Sequence, residues 1–466
     1  MGSVSRRSFI LHLLPLLLMM ASALRPAAAA PVLMISIDGL KPEYVLEADV
    51  RGLKLPYLRT LVRDGTYAEG VVGVWPTVTY PSHTTLLTGV TPAQHGIFNN
   101  VEFDPDRRFS GAWNWYASDI RVPTLWKVAH NAGLRTASVG WPVSVGATDV
   151  DDLIPEYWRT ADPSQAVNPL DREMIAALSR PPTLLREIEP VAGEYMMGND
   201  TSIAGDETKT RYSIEILRGQ KPSFMTIHLS SLDDAQHAHG PFSDDANQTL
   251  EAIDGMVARL ADAALKIDSS TVVLIVSDHG FLTLTHAVNL NVPFAQSGLI
   301  QAAPNSDPSS PTIAAWKAMP WTAGGMAAIM LHDAGDRQTE QQVRELLTKL
   351  AADENNGIQE ILDREAMKER GGFPDAAFVV VLKQGYYLAG TGLTGSIVVP
   401  ISSRRGSHGF SPEFPEMRAS FFIVGAGIAH HRDLGVIDMR QIAPTVARIL
   451  NAPMPTAKAT PLHVQP

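Results

Sequence analysis

Residues 75–100 read W-P-T-V-T-Y-P-S-H-T-T-L-L-T-G-V-T-P-A-Q-H-G-I-F-N-N, and the predicted fold is organised around them. Residues 82–87 predict a short helix, with Pro81 near its first position, where proline is well tolerated, and Gly89 at its end. Thr79 is therefore expected at or just before a helix N-terminus, where free N–H groups and the helix dipole favour an anion such as phosphate. Taken alone, the same pattern also fits an N-cap threonine beside a turn.

Short apolar runs on both sides of this stretch predict buried strands. The runs are residues 32–37, 136–139, 224–229, 271–276 and 421–424, and helical patterns separate them, the longest over residues 244–267. Alternating strands and helices indicate the α/β class, with a mostly parallel sheet and helices on both faces. In such sheets ligands bind at the carboxyl ends of the strands. The acidic and histidine residues predicted at those ends are Asp38, Asp233, Asp278 and His279.

Two segments are predicted to lie outside this alternation. Residues 149–206 are rich in proline and acidic residues and only weakly periodic, so we expect surface loops and short helices there. Residues from about 282 to 399 carry mixed segments and are predicted to form a smaller inserted subdomain that packs beside the site. Both segments are assigned to one catalytic domain spanning residues 31–466.

Composition excludes several classes of site and partner. The chain has 466 residues and a net charge of −11, which disfavours a nonspecific nucleic-acid complex, since that would need a basic face. It contains no cysteine, so it can form no disulfide, thiolate nucleophile or Cys-ligated zinc site. Any metal must therefore be held by His, Asp or Glu, a ligand set suited to zinc and other divalent ions.

The N-terminal residues 1–30 have the pattern of an export signal. Arg6 and Arg7 precede an apolar run over residues 10–24, and small alanines follow at residues 27–30. The paired arginines indicate the twin-arginine route, which predicts a periplasmic or extracellular protein. A membrane anchor is the alternative, but the run is shorter than the roughly 20 apolar residues of a membrane span. After removal of the signal we expect no stable membrane span.

Further candidate ligands follow the strand at residues 224–229. The sequence there is D-D-A-Q-H-A-H-G-P, which offers Asp233 with His237 and, as rivals, Asp234 with His239. Taken singly, such residues are more often helix caps or hydrogen-bonded side chains than ligands. Their joint occurrence at strand ends, together with a histidine in R-G-S-H-G at residue 408, indicates a site for two divalent ions, which would need some six or seven ligands of this type.

The chain resembles the alkaline phosphatase superfamily and, within it, the nucleotide pyrophosphatase/phosphodiesterase branch. The matching stretches span about residues 32–425 in the family's order: I-S-I-D-G-L, P-T-V-T-Y-P-S-H-T-T-L-L-T-G with H-G-I-F-N-N, D-D-A-Q-H-A-H-G-P, S-D-H-G and G-S-H-G. Each motif is weak alone, but five in order are highly specific. The resemblance implies an alkaline-phosphatase-like fold with a smaller inserted subdomain, and hydrolysis of phosphate diesters with two zinc ions as cofactors.

The resemblance also implies roles for individual residues. One zinc ion would be bound by Asp38, Asp278 and His279 and would also touch Thr79, and the other would be bound by Asp233, His237 and His408. Thr79 would be the nucleophile that forms a phospho-threonine intermediate, activated by one metal while the other stabilises the leaving oxygen. Asn100 would donate a hydrogen bond to a phosphoryl oxygen.

The local sequence departs from the family's pattern at two positions. Gln236 replaces a usual glycine, and Ser82 stands where asparagine is common. Neither change removes a ligand. The Gly240-Pro241 pair sets the register of the motif, so that Asp233 and His237 are preferred to their rivals.

The substrate is predicted to be a small phosphate diester with a nucleotide or lipid head group. Tyr80, which follows the nucleophile, would stack on a nucleotide base, with packing in the core as the alternative. Residues 137–144 lack the cationic pair of threonine-dependent monoesterases in this superfamily, which favours diesters, although Arg404 or Arg405 could supply charge. A phosphomonoesterase, a phosphonate hydrolase and a non-catalytic exported binding protein remain alternatives, whereas a sulfatase is discounted because Thr79 occupies the position of its modified Cys or Ser.

Overall fold

The fold is described from a computed structural model. It describes residues 30–105, 113–158, 169–195, 200–304 and 312–466, together with residue 2. The predicted export signal, apart from residues 2 and 30, lies outside the described residues. Within the described ranges, no helix has the length and apolar character needed to cross a membrane.

Strands occur along the whole described chain, and many have only two or three residues. They are β1 Val32–Ile37, β2 Thr66–Tyr67, β3 Gly70–Val72, β4 Thr136–Val139, β5 Asp152–Ile154, β6 Phe224–Leu229, β7 Val272–Val276, β8 Leu282–Thr283, β9 His286–Val288, β10 Ile300–Ala302, β11 Ile313–Trp316, β12 Ala318–Ala323, β13 Met326–Leu331, β14 Ile358–Asp363, β15 Phe378–Leu382, β16 Tyr386–Leu388, β17 Val398–Pro400, β18 Gly406–Ser407, β19 Phe421–Val424, β20 Arg432–Asp433 and β21 Val436–Asp438.

Helices alternate with the strands of the first half and recur in the second. They are α1 Pro42–Leu46, α2 Ala48–Arg51, α3 Leu58–Asp64, α4 Thr79–Thr88, α5 Pro92–His95, α6 Leu125–Asn131, α7 Pro169–Leu178, α8 Leu184–Ala192, α9 Ile203–Gln220, α10 Ser231–His239, α11 Asp244–Ile267, α12 Asn291–Gln296, α13 Arg337–Ala351, α14 Arg364–Arg370 and α15 Ile442–Ile449.

A central sheet of eight strands organises the molecule, in the order β20-β2-β19-β7-β1-β6-β4-β5. Strand β1 pairs in parallel with β6 and β7, and β4 pairs in parallel with β5 and β6. Strand β19 runs antiparallel to both of its neighbours. The predicted mostly parallel sheet is therefore confirmed. Because β7, β1 and β6 are adjacent and parallel, the residues that follow them reach the same edge of the sheet.

Helices cover both faces of this sheet. Alternate residues of a strand point to opposite faces, and β1 divides accordingly. Its Leu33, Ile35 and Ile37 join the core that includes α9, α10 and α11, whereas Val32 and Met34 join the core that includes α4, α6 and α15. This arrangement confirms the predicted α/β class with helices on both faces.

A second, four-stranded sheet has the order β12-β13-β15-β14 and lies within the segment for which the sequence predicts an insertion. Its pairs are antiparallel, and α13 packs on it in a separate apolar core. Its other apolar side chains, such as Met326 and Val379, pack with Trp75 and Val78 immediately before Thr79. This sheet therefore supports the loop that leads into α4.

Strand β5 of the central sheet was not predicted. Strand β5 lies within residues 149–206, where the sequence predicts loops and short helices, yet it pairs with β4 and is buried. It has three residues and begins with Asp152, so it gives little apolar signal. The Arg135 guanidinium pairs with this carboxylate at 2.8 and 3.0 Å, which allows an acidic residue to lie in a buried strand.

Helix α4 begins three residues earlier than predicted. Val78 is its extended N-cap, and Thr79 rather than Ser82 is its first residue. Pro81 therefore lies at the third helical position, where its missing N–H would have no partner within the helix in any case. Gly89 ends the helix with φ of 67°, a conformation that glycine adopts without strain. Thr79 thus lies at the helix N-terminus, as predicted.

Candidate active site

The predicted ligands converge at the carboxyl edge of the central sheet. Asp38 follows β1, Asp278 and His279 follow β7, and Asp233 lies in the first turn of α10, directly after β6. His408 arrives from a distant part of the chain, after β18. Its neighbour Gly409 has φ of 81° and approaches the Ala323 backbone so closely that a Cβ would meet the Ala323 carbonyl oxygen at 2.2 Å. A glycine is therefore required beside His408.

The residues fall into the two groups that the resemblance implies. Within each group one ligand atom per residue lies within 4.8 Å of the others, and the groups are Asp38, Asp278, His279 and Asp233, His237, His408. The first group is fully buried, while Asp233 and His237 are partly exposed. The rings of His279 and His408 stack with centroids 3.6 Å apart, so the two groups are adjacent.

The three histidines share one hydrogen-bonding arrangement. In each ring Nδ1 faces a backbone carbonyl: Gly406 O at 3.1 Å for His237, Gly280 O at 3.2 Å for His279 and Thr77 O at 3.1 Å for His408. Because a carbonyl can only accept, Nδ1 donates, and Nε2 of the neutral ring keeps its lone pair. This is the tautomer in which a histidine ligates a metal through Nε2.

The three aspartates each present an oxygen without a hydrogen-bond donor. Among the described residues, buried Asp38 Oδ1, Asp233 Oδ1 and Asp278 Oδ2 have no hydrogen-bond partner. Asp278 Oδ2 lies 3.0 Å from His279 Nε2, so two atoms that carry lone pairs face each other. A divalent cation shared by these atoms would satisfy both, and the donor set of nitrogen and carboxylate oxygen suits zinc. The residues present therefore fit the metal site that the resemblance implies.

The electrostatics of the cluster also favour a bound cation. Burial raises the pKa of Asp38 well above its ordinary value, and the charges of Asp278 and Asp233 raise it further. Burial likewise raises the pKa of Asp233. Burial opposes ionisation of Asp278 as well, but interactions led by the charge of His279 outweigh it and lower the pKa of that carboxyl. Positive charge would stabilise the ionised forms of Asp38 and Asp233 in the same way. Bound divalent cations would supply that charge.

Thr79 lies beside the buried group and at the wall of a cavity. Its Oγ1 is 3.4 Å from His279 Nε2. The cavity has a volume of about 290 Å³, and its wall includes Thr79, Asn100, Asp233 and His408. Asn100 Oδ1 accepts a hydrogen bond from the Tyr80 N–H at 2.9 Å, which leaves the Asn100 amide as the end of the side chain that can donate to a ligand. Nucleophile and donor candidates are thus placed side by side.

Tyr80 is both packed and on the cavity wall. Its side chain is buried, its ring lies 5.3 Å from that of Trp113, and its hydroxyl donates to Glu156 Oε1 at 2.6 Å. The same ring lines the cavity together with Trp113, Tyr157 and Trp158. Both interpretations of Tyr80, stacking on a ligand and packing in the core, are compatible with this position, so its role stays a prediction.

Comparison with known proteins places the chain in a family. The sequence model of type I phosphodiesterase/nucleotide pyrophosphatase matches residues 32–411. The chain belongs to this family. Human ectonucleotide pyrophosphatase/phosphodiesterase family member 1 is 25% identical over 260 residues, which are 54% of this chain and 23% of that protein. Human bis(5'-adenosyl)-triphosphatase ENPP4 is 22% identical over 255 residues, 53% of this chain and 47% of that protein. The chain thus spans less than half the length of these curated relatives.

Solved structures share the fold. Human ectonucleotide pyrophosphatase/phosphodiesterase 5 superposes with a TM-score of 0.60 at 19% identity, over 91% of this chain and 95% of that chain. The murine protein, in an inactive form with a threonine replaced by alanine and in complex with AMP, gives a TM-score of 0.59 at 18% identity, over 91% of this chain and 96% of that chain. The predicted alkaline-phosphatase-like fold is confirmed.

The rival ligands in the type I phosphodiesterase motif lie elsewhere on α10. Asp233 and His237 are one helical turn apart, on the same face, with His237 Nε2 3.4 Å from Asp233 Oδ2. Asp234 is exposed at the cavity wall, and His239 faces Asp245 at 3.8 Å. Asp234 and His239 belong to neither ligand group.

The two departures from the family pattern have different surroundings. Gln236 replaces the usual glycine and forms two buried hydrogen bonds: its Nε2 donates to Gly39 O at 3.0 Å, and its Oε1 accepts from the Tyr44 hydroxyl at 3.2 Å. It therefore ties α10 to the segment after β1. Ser82 is buried in α4, and its Oγ has no hydrogen-bond partner among the described residues.

The prediction from sequence missed three polar residues around this candidate site. His83 contacts Thr79 O through Nδ1 at 2.8 Å and Ser36 Oγ through Nε2 at 2.8 Å. Glu156 and His228 are hydrogen-bonded to each other beside Asp38. Glu156 follows β5 and could have been found as another acid at a strand end. His228 is a lone polar residue inside the apolar run of β6, where the pattern gave no reason to single it out.

A lysine also reaches the cavity wall. Lys209 of α9 is buried there, and its Nζ contacts Asp206 Oδ1 at 2.9 Å, Ser230 Oγ at 2.9 Å and His228 O at 3.1 Å. The ammonium has three donors, and these three acceptors use them. Lys209 therefore does not provide the free cationic pair that a monoester dianion would need.

Proposed function

We propose that this protein is an exported, two-zinc phosphodiesterase/nucleotide pyrophosphatase that hydrolyses phosphate diesters through a phospho-threonine intermediate on Thr79. The observation that carries the proposal is the position of Thr79. It is the first residue of α4, its Oγ1 lies 3.4 Å from His279, and the cavity beside it opens on the second ligand group. Nucleophile, helix N-terminus and both candidate metal sites thus meet at one wall.

The two ligand groups would hold the divalent ions. When bound, such ions act as Lewis acids that lower the pKa of a contacting hydroxyl and neutralise charge on phosphoryl oxygens. The protein contributes the orientation of the ligands. Backbone carbonyls fix the ring of each histidine, and the Gly39 N–H donates to Asp278 Oδ1 at 3.0 Å, which leaves Oδ2 as the ligand atom.

Thr79 performs the covalent chemistry. Its Oγ1 releases its proton to solvent and attacks phosphorus in line, the bond from phosphorus to the leaving alcohol breaks, and the alkoxide that departs takes a proton from solvent. Asn100 donates to a phosphoryl oxygen, and the N-terminus of α4 favours the negative charge. Water then hydrolyses the phospho-threonine, which restores Thr79 and releases a phosphate monoester. Two in-line steps give net retention at phosphorus.

A diester with one aromatic or nucleotide substituent fits the cavity best. Tyr80, Trp113, Tyr157 and Trp158 supply flat apolar surface beside Thr79. Lys209, a cation on this wall, donates to its own three acceptors. A monoester dianion would therefore be less well compensated than a diester monoanion. A lipid head group is a second candidate for the substituent.

The proposal that the protein is exported rests on the twin-arginine pattern of residues 6–30.

The decisive test is Thr79→Ala with bis-p-nitrophenyl phosphate as substrate. We expect the wild type to turn the diester over, and the variant to lose turnover while it keeps nearly all of its metal. Ser82→Ala is the matched control, because Ser82 lies in the same helix and is also a hydroxyl residue. Full activity of Thr79→Ala, with loss in Ser82→Ala, would contradict the assignment of the nucleophile.

The same preparation separates the alternatives. We expect kcat/KM for an aryl diester to exceed that for the matched aryl monoester, whereas a monoesterase would show the reverse order. A protein that binds two metal ions but hydrolyses neither ester would be the non-catalytic exported binding protein.

A further inference from the structure

A buried chain of hydrogen bonds joins the cavity wall to the first ligand group. The Tyr80 hydroxyl donates to Glu156 Oε1 at 2.6 Å, Glu156 Oε2 lies 2.9 Å from His228 Nδ1, and His228 Nε2 lies 3.0 Å from Asp38 Oδ2. The side chain of His228 is 3% exposed and that of Glu156 is 14% exposed. The proposed function uses the two ends of this chain, Tyr80 and Asp38, and assigns nothing to its middle.

The ring of His228 is fixed by its acceptors. Nδ1 faces the Gly140 carbonyl oxygen at 3.1 Å as well as Glu156, and because the carbonyl can only accept, Nδ1 carries a proton. Nε2 faces Asp38 Oδ2, and an ionised carboxylate also only accepts, so this contact is a hydrogen bond when Nε2 carries a proton as well, as in the imidazolium form. The ring also packs edge-on against His83, with centroids 4.5 Å apart. Nε2 is therefore aimed at one atom, Asp38 Oδ2, and the ring has no second orientation that keeps these contacts.

The contact with His228 decides which oxygen of Asp38 is available to a metal. Oδ2 is held by His228 Nε2, whereas buried Oδ1 has no hydrogen-bond partner among the described residues and lies 3.5 Å from His279 Nε2. Hydrogen bonds to ligating side chains orient them, and loss of one typically weakens metal binding roughly 10- to 100-fold. An Asp38 without His228 could rotate its carboxylate away from the ligand position.

We propose that His228 and Glu156 are positioning residues for the first metal site: His228 holds Asp38 with Oδ1 turned toward Asp278 and His279, and Glu156 holds His228. This inference rests on the proposed function in one respect, that Asp38, Asp278 and His279 bind a divalent ion. It predicts that changes at His228 act on one metal site and leave the other unchanged.

Two substitutions separate the contacts that His228 makes through Nδ1 from the contact that it makes through Nε2. His228→Asn places an amide nitrogen near the position of Nδ1, so it keeps a donor for Glu156 and Gly140 and loses the contact with Asp38. His228→Gln places an amide nitrogen near the position of Nε2, so it keeps a donor for Asp38 and loses the other contact. Both side chains are neutral, so a difference between them reports position rather than charge.

Strand β6 supplies a matched control. Thr226 lies two residues before His228, is buried, accepts from Trp126 Nε1 at 3.1 Å and donates to Ser138 Oγ at 2.8 Å. None of these partners belongs to either ligand group. Thr226→Val therefore removes buried hydrogen bonds from the same strand without touching Asp38.

The measurement is titration of metal-free protein with Zn²⁺ in competition with a chromogenic chelator, which resolves the two sites. We expect His228→Asn to weaken one site roughly 10- to 100-fold and to leave the other unchanged. His228→Gln should keep that site within about threefold of the wild type, since it retains the donor to Asp38. Thr226→Val should change neither site. With Co²⁺, the visible spectrum of a single site should change in His228→Asn.

The result that overturns the proposal is wild-type affinity at both sites in a folded His228→Asn variant, or an equal loss in Thr226→Val. If His228→Asn does not fold, Glu156→Gln carries the test, because it leaves the imidazole in place and removes the carboxylate that holds it. We expect it to weaken the same site about threefold or more, and unchanged affinity would overturn the proposal. A wild type that binds two ions but hydrolyses no diester would refute the proposed function and leave this inference standing.

Discussion

At the residue scale, the site depends on which atom of each side chain is already engaged. Backbone carbonyls accept from Nδ1 of the three candidate histidine ligands. The Gly39 N–H donates to Asp278 Oδ1, and the Tyr80 N–H donates to Asn100 Oδ1. The opposite end of each side chain is thereby offered to a ligand. Such outer hydrogen bonds reduce the reorganisation needed when a metal or phosphoryl group binds.

The prediction at the residue scale concerns the effect of Asn100 on kcat. Asn100→Ala removes the amide that can donate to a phosphoryl oxygen, so we expect kcat to fall about 10²-fold or more with metal content unchanged. Steady-state kinetics with an aryl diester as substrate measure the fall in kcat. Asn114→Ala is the control, because the Asn114 amide donates to Asn99 O and supports the same loop without lining the wall at Thr79. A loss below threefold in Asn100→Ala would make Asn100 a structural turn residue.

At the element scale, helix α10 carries a pair of candidate metal ligands and also a residue that bonds the helix to a neighbouring segment. Asp233 and His237 face the site, and Gln236, on the same helix, bonds to Gly39 O and the Tyr44 hydroxyl. The helix is short, and a ligand pair one turn apart needs it to stay formed. Gln236 therefore stabilises the element that presents Asp233 and His237, although the family usually has glycine at this position.

Gln236→Ala tests this role. It leaves two buried polar groups without one of their partners, so we expect the free energy of unfolding to fall by about 1–3 kcal/mol. Urea unfolding of the metal-loaded protein measures the change. Zinc content should stay at two ions, since no ligand is lost. An unchanged unfolding midpoint, or loss of one zinc ion, would contradict this account of Gln236.

At the scale of the whole molecule, the ligand groups join parts of the chain that are far apart in sequence. Asp38, Asp233, Asp278 and His408 come from four separate segments, which the adjacent strands β7, β1 and β6 and the β18 turn bring to one edge. In the metal-free protein these buried carboxylates repel one another. Bound metal would therefore stabilise the whole fold as well as the reaction.

Chelation of the metal should accordingly destabilise the protein. At free metal a hundredfold above the dissociation constant, each site would contribute about 2.7 kcal/mol to the free energy of unfolding. We expect EDTA to lower the urea midpoint of the wild type, and to lower it less in Asp38→Asn, which weakens one site beforehand. Equal midpoints with and without EDTA in the wild type would contradict metal binding at the two groups.

Local pattern was enough for the long strands of the central sheet and for its longest helix. The predicted strands at 32–37, 136–139, 224–229 and 421–424 and the helix at 244–267 coincide with β1, β4, β6, β19 and α11. Apolar runs and helical periodicity are local signals, so they can be read without tertiary contacts. Strand β5 was missed because a three-residue strand that begins with Asp152 acquires its burial only from Arg135 and the neighbouring β4.

For the site, the sequence by itself determined the residue types and their strand-end positions, and the ordered motifs supplied the two ligand groups. It also determined the family, to which the match over residues 32–411 assigns the chain. Only the tertiary structure decided which atoms face the ligand and which residues hold them there. His228 and Glu156 lie 72 positions apart, and Glu156 and Asp38 meet only through the ring between them. Hydrogen bonds between distant segments leave no periodicity in the sequence, so only the folded arrangement of β1, β5 and β6 could reveal them.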